Sequence, residues 1–202
     1  MTSICYDNYF WQNELVRLRA MLPEDWEERY YNRFDSKARQ FLNAEIELPP
    51  TEKEEKENTE KYSNFNPGTG RIMFIIETLD GIPVGSINLN SIDERNGTFS
   101  IGLLINMNFR GKGYGTSAMK ILLGYAFFER RLNKFNGACS EENMTSIAMQ
   151  KKLGCVQEGI RRQQDYSKGR YWDEVLFGLT KDEYIMKNRQ WEQVFYENKC
   201  DS

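Results

Sequence analysis

The 202 residues are 40% hydrophobic and 28% charged, the balance of a soluble globular chain long enough for one sizeable core. Lys and Arg total 27 against 30 Asp and Glu, so the net charge of −3 gives no support for a basic nucleic-acid surface. Histidine is absent, which excludes Ser–His triads, Cys–His dyads and His-ligated metal sites. The longest apolar stretch, 121–128, counts Gly124 as neutral and falls well short of the roughly 20 residues that a membrane-spanning helix needs. Met1 to Trp11 lack both a basic start and an apolar stretch, so no secretory leader is expected. Cys5, Cys139, Cys155 and Cys200 are far apart and form no Cys-x-x-Cys pair; they read as reduced thiols of a cytoplasmic protein.

Pro23, followed by Glu24 and Asp25, predicts an early helix with Trp26, Tyr30 and Phe34 on one face. Thr51 and Glu54 form a capping box ahead of Glu52–Glu57, a run polar all round. That run reads as a short exposed helix or a charged flap over about 45–66, with a solvated face. From Arg71 the pattern changes. Arg71–Leu79, Pro83–Leu89 and Thr98–Ile105 predict three strands joined by turns at Asp80-Gly81 and Asn96-Gly97, an antiparallel meander. Ala118, Ile121, Leu122, Tyr125 and Ala126 follow a helical period; Phe135–Cys139 reads as a short strand. Ser146, Met149, Gln150 and Leu153 outline a helix stopped by Gly154. A long hairpin, Val156–Tyr166 and Arg170–Leu179, precedes a second capping box at Thr180 and Glu183. The helix it opens is expected to run through Tyr184, Trp191 and Phe195. The order of elements predicts a mixed α/β (α+β) domain with a largely antiparallel sheet.

The chemistry concentrates in Arg110-Gly111-Lys112-Gly113-Tyr114-Gly115, between a strand and a helix. Three glycines in five residues let backbone N–H groups converge, and a helix N-terminus there cradles an anion such as a pyrophosphate. A flexible turn explains the glycines equally well. A Walker loop is excluded because Gly-x-x-x-x-Gly-Lys-Ser/Thr does not occur; a dinucleotide fingerprint is excluded by the Gly-x-Gly-x-Gly spacing.

Arg110-x-x-Gly113-x-Gly115 resembles the acyl-CoA motif of the GNAT acetyltransferase superfamily. Asn143-x-x-Ser146-x-x-Met149 closing in Leu153-Gly154-Cys155 resembles that family's second signature. Glu158-Gly159-x-x-Arg162, then Tyr166, Gly169, Asp173 and Glu174, is similar to the branch that acetylates ribosomal-protein N-termini. The resemblance implies a sheet splayed into a V between its fourth and fifth strands, here Thr98–Ile105 and Phe135–Cys139. Acetyl-CoA would lie in the gap as cosubstrate, with no metal. Leu103, Leu104 and Ile105 would pair with the pantetheine. Arg110, Gly111, Lys112, Gly113, Tyr114, Gly115 and Thr116 would form the pyrophosphate loop, and Asn143 would bind the pantetheine. It also implies one acetyltransferase domain over 1–186 with a C-terminal helical extension over 187–202, which packs on its own domain or makes a dimer contact.

The implied reaction is direct transfer of acetyl to a primary amine, on a small molecule or a peptide or protein N-terminus. The tyrosine that many members carry as general acid is replaced here by Gln150, so Ser146 becomes the candidate donor to the thiolate. Base candidates are Glu141 and Glu77, then Glu142 and Glu174. Trp26, Tyr30, Tyr166 and Trp172 would wall the amine side, or Tyr166 and Trp172 simply pack across the hairpin. A non-catalytic acetyl-CoA-binding module is the alternative; neither nucleic acid nor membrane is an expected partner.

Overall fold

The computed structural model describes residues 5–42, 48–66 and 70–188. Its strands are β1 (Arg17–Ala20), β2 (Ile72–Glu77), β3 (Pro83–Asp93), β4 (Thr98–Ile105), β5 (Lys134–Ser140), β6 (Val156–Ser167) and β7 (Arg170–Thr180). Its helices are α1 (Trp26–Asn32), α2 (Ser36–Arg39), α3 (Glu52–Tyr62), α4 (Tyr114–Gly124), α5 (Met144–Leu153) and α6 (Lys181–Lys187). The strands form one sheet in the order β1-β2-β3-β4-β5-β7-β6. Every neighbouring pair is antiparallel except β4 and β5, which run parallel.

Period-two alternation decides which side of the sheet is dry. Ile87 and Leu89 of β3 and Phe99 of β4 point to one face, where Ala118, Met119 and Leu122 of α4 cover them; all are buried. Phe99 is fully buried, and its ring centroid lies 5.4 Å from Phe127 and 5.8 Å from Phe135. This aromatic cluster pins β4 to β5 at their first residues, and burying one such ring contributes about 1.5–3 kcal/mol. Tyr184 of α6 closes the cluster from below, donating to the Lys120 carbonyl.

Three features depart from the sequence reading. β1 was not anticipated. The charged helix α3 begins at the Thr51 cap, with Thr51 Oγ1 accepting from Glu54 N at 3.2 Å but without the reciprocal bond from the Glu54 side chain, and it is not solvated all round. Glu55 and Thr59 are buried, and Glu55 takes hydrogen bonds from Arg29 and Arg33 on α1 and the turn after it. The early helix is shorter than its aromatic spacing suggested: α1 ends at Asn32, leaving Phe34 beyond it and exposed. Trp191 and Phe195, like all of the expected 187–202 extension beyond Asn188, lie outside the described residues.

Candidate active site

β4 and β5 pair only at Thr98–Lys134 and Phe99–Phe135. One step further, Ser100 Oγ donates to the Asn136 carbonyl at 3.0 Å, and beyond that bond the strands part. The parting has a local cause: β5 pairs along its whole length with β7, while β4 pairs with β3 as far as Ile105, so each strand follows its own partner. The result is a V-shaped fork with β4 backbone along one wall.

The loop that resembles the acyl-CoA motif stands at the mouth of this fork. Gly113 is the N-cap of α4 with φ +86°, a conformation that glycine alone adopts without strain, and no side chain caps the first turn. Gly111 is also left-handed, φ +76°, and nothing lies within 4 Å of where its Cβ would be. The first N–H groups of an eleven-residue helix therefore face a loop that is open at Gly111, with Leu15 3.5 Å from the Cβ position of Gly113, and the macrodipole favours an anion there. A Cβ on Gly115 would meet Leu103 at 3.1 Å, so this glycine lets α4 sit directly on β4. The residues fit a pyrophosphate. Lys112 is exposed at the rim. Arg110 is held differently: its Nε donates to the Ile105 carbonyl at 2.9 Å, and its Nη2 pairs with Asp35.

Asn143 is the N-cap of α5; its Oδ1 accepts from Ser146 N at 3.1 Å, which leaves its Nδ2 without a partner among the described residues. Ser146 lies in the first turn of α5, close enough to Cys139 of β5 for its hydroxyl to bear on that thiol. Burial pushes that thiol up, the Ser146 hydrogen bond opposes this, and the charges of Glu174 and Asp165 add to the rise. Gln150, at the position of the family's tyrosine, is buried against Gly137, and its Oε1 lacks a hydrogen-bond partner.

The carboxylates are sorted by their partners. Glu77 is buried, with one oxygen on Arg17 at 2.8 Å and the other on Arg19 at 3.0 Å, the bonding of a structural ion pair. Glu141 is exposed and accepts from Asp173 N at 3.2 Å. Glu142 pairs with Lys168, and Glu174 pairs with Arg161 at 2.9 Å. Asp165, which the sequence reading passed over, sits after a bulge in β6. Burial raises its carboxyl above the ordinary Asp value, and the neighbouring Glu174 charge raises it further.

Of the aromatic wall residues, Trp26 is half-buried with Lys56 Nζ 4.0 Å from its ring centroid. Tyr30 packs edge-on against Phe34 at 5.2 Å. Tyr166 and Tyr171 are register partners with centroids 5.0 Å apart, and Arg170 stacks over Trp172. Cross-strand packing therefore accounts for the hairpin rings, although Tyr166 and Tyr171 remain exposed. Between α1, α3 and the ends of β2–β4 lies a cavity of about 370 Å³ lined by Arg29, Arg33, Arg39 and Arg71, with Asp25, Glu28 and Glu55. No group of three metal-ligating side chains occurs among the described residues, and no helix there is long and apolar enough to cross a membrane.

Residues 16–156 match the family described as the acetyltransferase (GNAT) domain. The chain belongs to the GNAT acetyltransferase family. It is 29% identical over 179 residues to the SPbeta prophage-derived uncharacterized N-acetyltransferase YokL of Bacillus subtilis (strain 168), covering 89% of this chain and 97% of that protein. The fold is also that of spermidine N-acetyltransferase from Vibrio cholerae in complex with CoA and spermine: TM-score 0.75 and 20% identity, over 86% of this chain and 99% of the other. It is likewise that of RimL, the ribosomal L7/L12 alpha-N-protein acetyltransferase, in complex with coenzyme A: TM-score 0.73 and 19% identity, over 85% and 97%. The chain is thus an N-acetyltransferase of this family, with the splayed, mostly antiparallel sheet that the resemblance implied.

Proposed function

We propose that the chain transfers acetyl from acetyl-CoA to the primary amine of a peptide or protein N-terminus, or of a small amine, by direct attack in a ternary complex. The observation that carries this is the fork between β4 and β5 with the uncapped N-terminus of α4 at its mouth. Backbone N–H groups of Gly111–Thr116 hold the phosphates, the free edge of β4 over Leu103–Ile105 pairs with the pantetheine, and Asn143 Nδ2 donates to it. The cosubstrate, when bound, supplies an acyl thioester. Ser146 donates a hydrogen bond to the departing sulfur. Asp165, register partner of Trp172 on the hairpin that the family resemblance places at the amine side, accepts the proton that the amine must lose, directly or through water, and burial holds its carboxyl above the ordinary Asp value.

One feature favours an N-terminal amine over a polyamine. An α-amino group titrates near about 8 against roughly 10 for an alkylamine, so a modest carboxylate base suffices. The test is CoA-thiol release with a panel of N-terminal peptides, small amines and spermidine. Release with peptides ahead of spermidine supports the reading. Acetyl-CoA binding with no release on any amine supports a non-catalytic module instead.

A further inference from the structure

We propose that Arg110 serves as a positioning residue rather than a phosphate ligand, and that its pairing with Asp35 sets the acyl-CoA loop and the acceptor-side wall as one unit. The inference rests on the reading of the fork as the acetyl-CoA site and of α1, with Trp26 and Tyr30, as the acceptor wall that α2 continues. The geometry is specific. Asp35 is buried, 8% exposed, and its two oxygens do different work. Oδ1 caps α2 by accepting from Ala38 N at 3.3 Å, while Oδ2 accepts from Arg110 Nη2. The same guanidinium donates through Nε to the carbonyl of Ile105, the last residue of β4, at 2.9 Å. One side chain therefore spans the strand end, the start of the glycine loop and the cap of the acceptor-side helix.

A second tie runs parallel to it. Asn106, buried at the end of β4, donates through Nδ2 to Glu28 of α1 at 2.7 Å, and its own N–H donates to the Val84 carbonyl. The α1–α2 segment is thus attached at two points, Glu28 near the start of α1 and Asp35 at the start of α2, to the five residues, 106–110, that lead from β4 into the loop. Displacing it moves the pyrophosphate cradle, and reshaping the cradle moves the wall. Charge-assisted hydrogen bonds to a buried carboxylate are strong enough to enforce this.

The two roles of Arg110 give opposite signs in one variant. Asp35→Asn keeps the Oδ1 cap but replaces the acceptor of Arg110 with an NH₂ donor. The proposal expects D35N to raise KM for acetyl-CoA and KM for the peptide acceptor together, each about tenfold, with a smaller change in kcat. R110Q does the same, and the double variant is no worse than either single one. Were Arg110 a phosphate ligand restrained by Asp35, D35N would leave acetyl-CoA affinity unchanged or tighten it, and R110Q would weaken it equally in both backgrounds; that result overturns the proposal. An effect of D35N on the acceptor alone overturns it as well. Should D35N fail to fold, R110K carries the test: it keeps the charge but loses the two-pronged span, so both KM values rise if the span matters and neither does if charge alone suffices. A wild type that binds no acetyl-CoA removes the functional reading itself, which separates the two failures.

Discussion

The helix α3 contains an internal experiment on buried charge. Glu55 has a side chain only 2% exposed, with Oε1 on Arg29 at 2.9 Å and Oε2 on Arg33 at 3.2 Å. Two residues on, Glu57 is 68% exposed and meets Lys53 at 3.9 Å. Truncating one partner of a fully buried pair costs about 3–5 kcal/mol, because the other charge is left uncompensated. Here the arginine side chains are 23% and 13% exposed, so they regain some water, and the expected cost of Glu55→Ala is about 2–3 kcal/mol. For a domain of this size that lowers Tm by about 4–12 °C. Glu57→Ala, an exposed i,i+4 partner, is expected to stay within about 0.5 kcal/mol. Urea melts of both variants at low and high salt make the comparison, and the Glu55 effect should persist in salt while any Glu57 effect fades. A Glu55→Ala change no larger than that of Glu57→Ala would refute the argument that α3 is bound to α1 through this carboxylate.

Other outcomes follow from the site. Ser146→Ala is expected to lower kcat about 10–100-fold with little change in acetyl-CoA affinity, measured by steady-state kinetics; a wild-type turnover removes Ser146 from the mechanism. Asp165 binds its proton more tightly in the folded state, so its ionisation opposes folding above the ordinary Asp range and has no effect below it. Asp165→Asn should therefore be more stable than wild type at pH 7, lose that advantage as pH falls from the raised folded-state value to the ordinary Asp value, and turn over more slowly. Equal stability across that window would contradict the burial argument. Burial pushes the Cys155 thiol up to about 12, so at pH 8 it should resist alkylation until the protein unfolds, as mass spectrometry of labelled peptides would show.

The strands and helices that carry the site were legible because each depends on its own sequence. Thr98–Ile105 alternates against a turn at Asn96-Gly97 and appears as β4 with those same ends. The capping residues Thr51 and Thr180 both begin the helices they announced. What was missed depends on partners far along the chain. Arg17–Ala20 carries two arginines in four residues and looks like surface until Glu77, some 60 positions away, is placed opposite. Glu55 looks solvated until Arg29 and Arg33 arrive from α1 and the turn after it. The fork was visible only through a family resemblance, since no local pattern says that β4 and β5 stop pairing after two residues. Asp165 was hidden for a related reason: the bulge between Arg161 and Asp165 resets which face the strand presents.

The central claim is that the fork and the α4 N-terminus form the acetyl-CoA site. Isothermal titration of the full chain with acetyl-CoA, beside Gly113→Val, tests it most directly. Gly113 has φ +86°, where a β-branched residue is strained and the first turn of α4 must move. The account expects saturable binding of one acetyl-CoA per chain by the wild type and at least a tenfold loss in a variant that still melts cooperatively. No binding by the wild type, or equal binding by the folded variant, would contradict it.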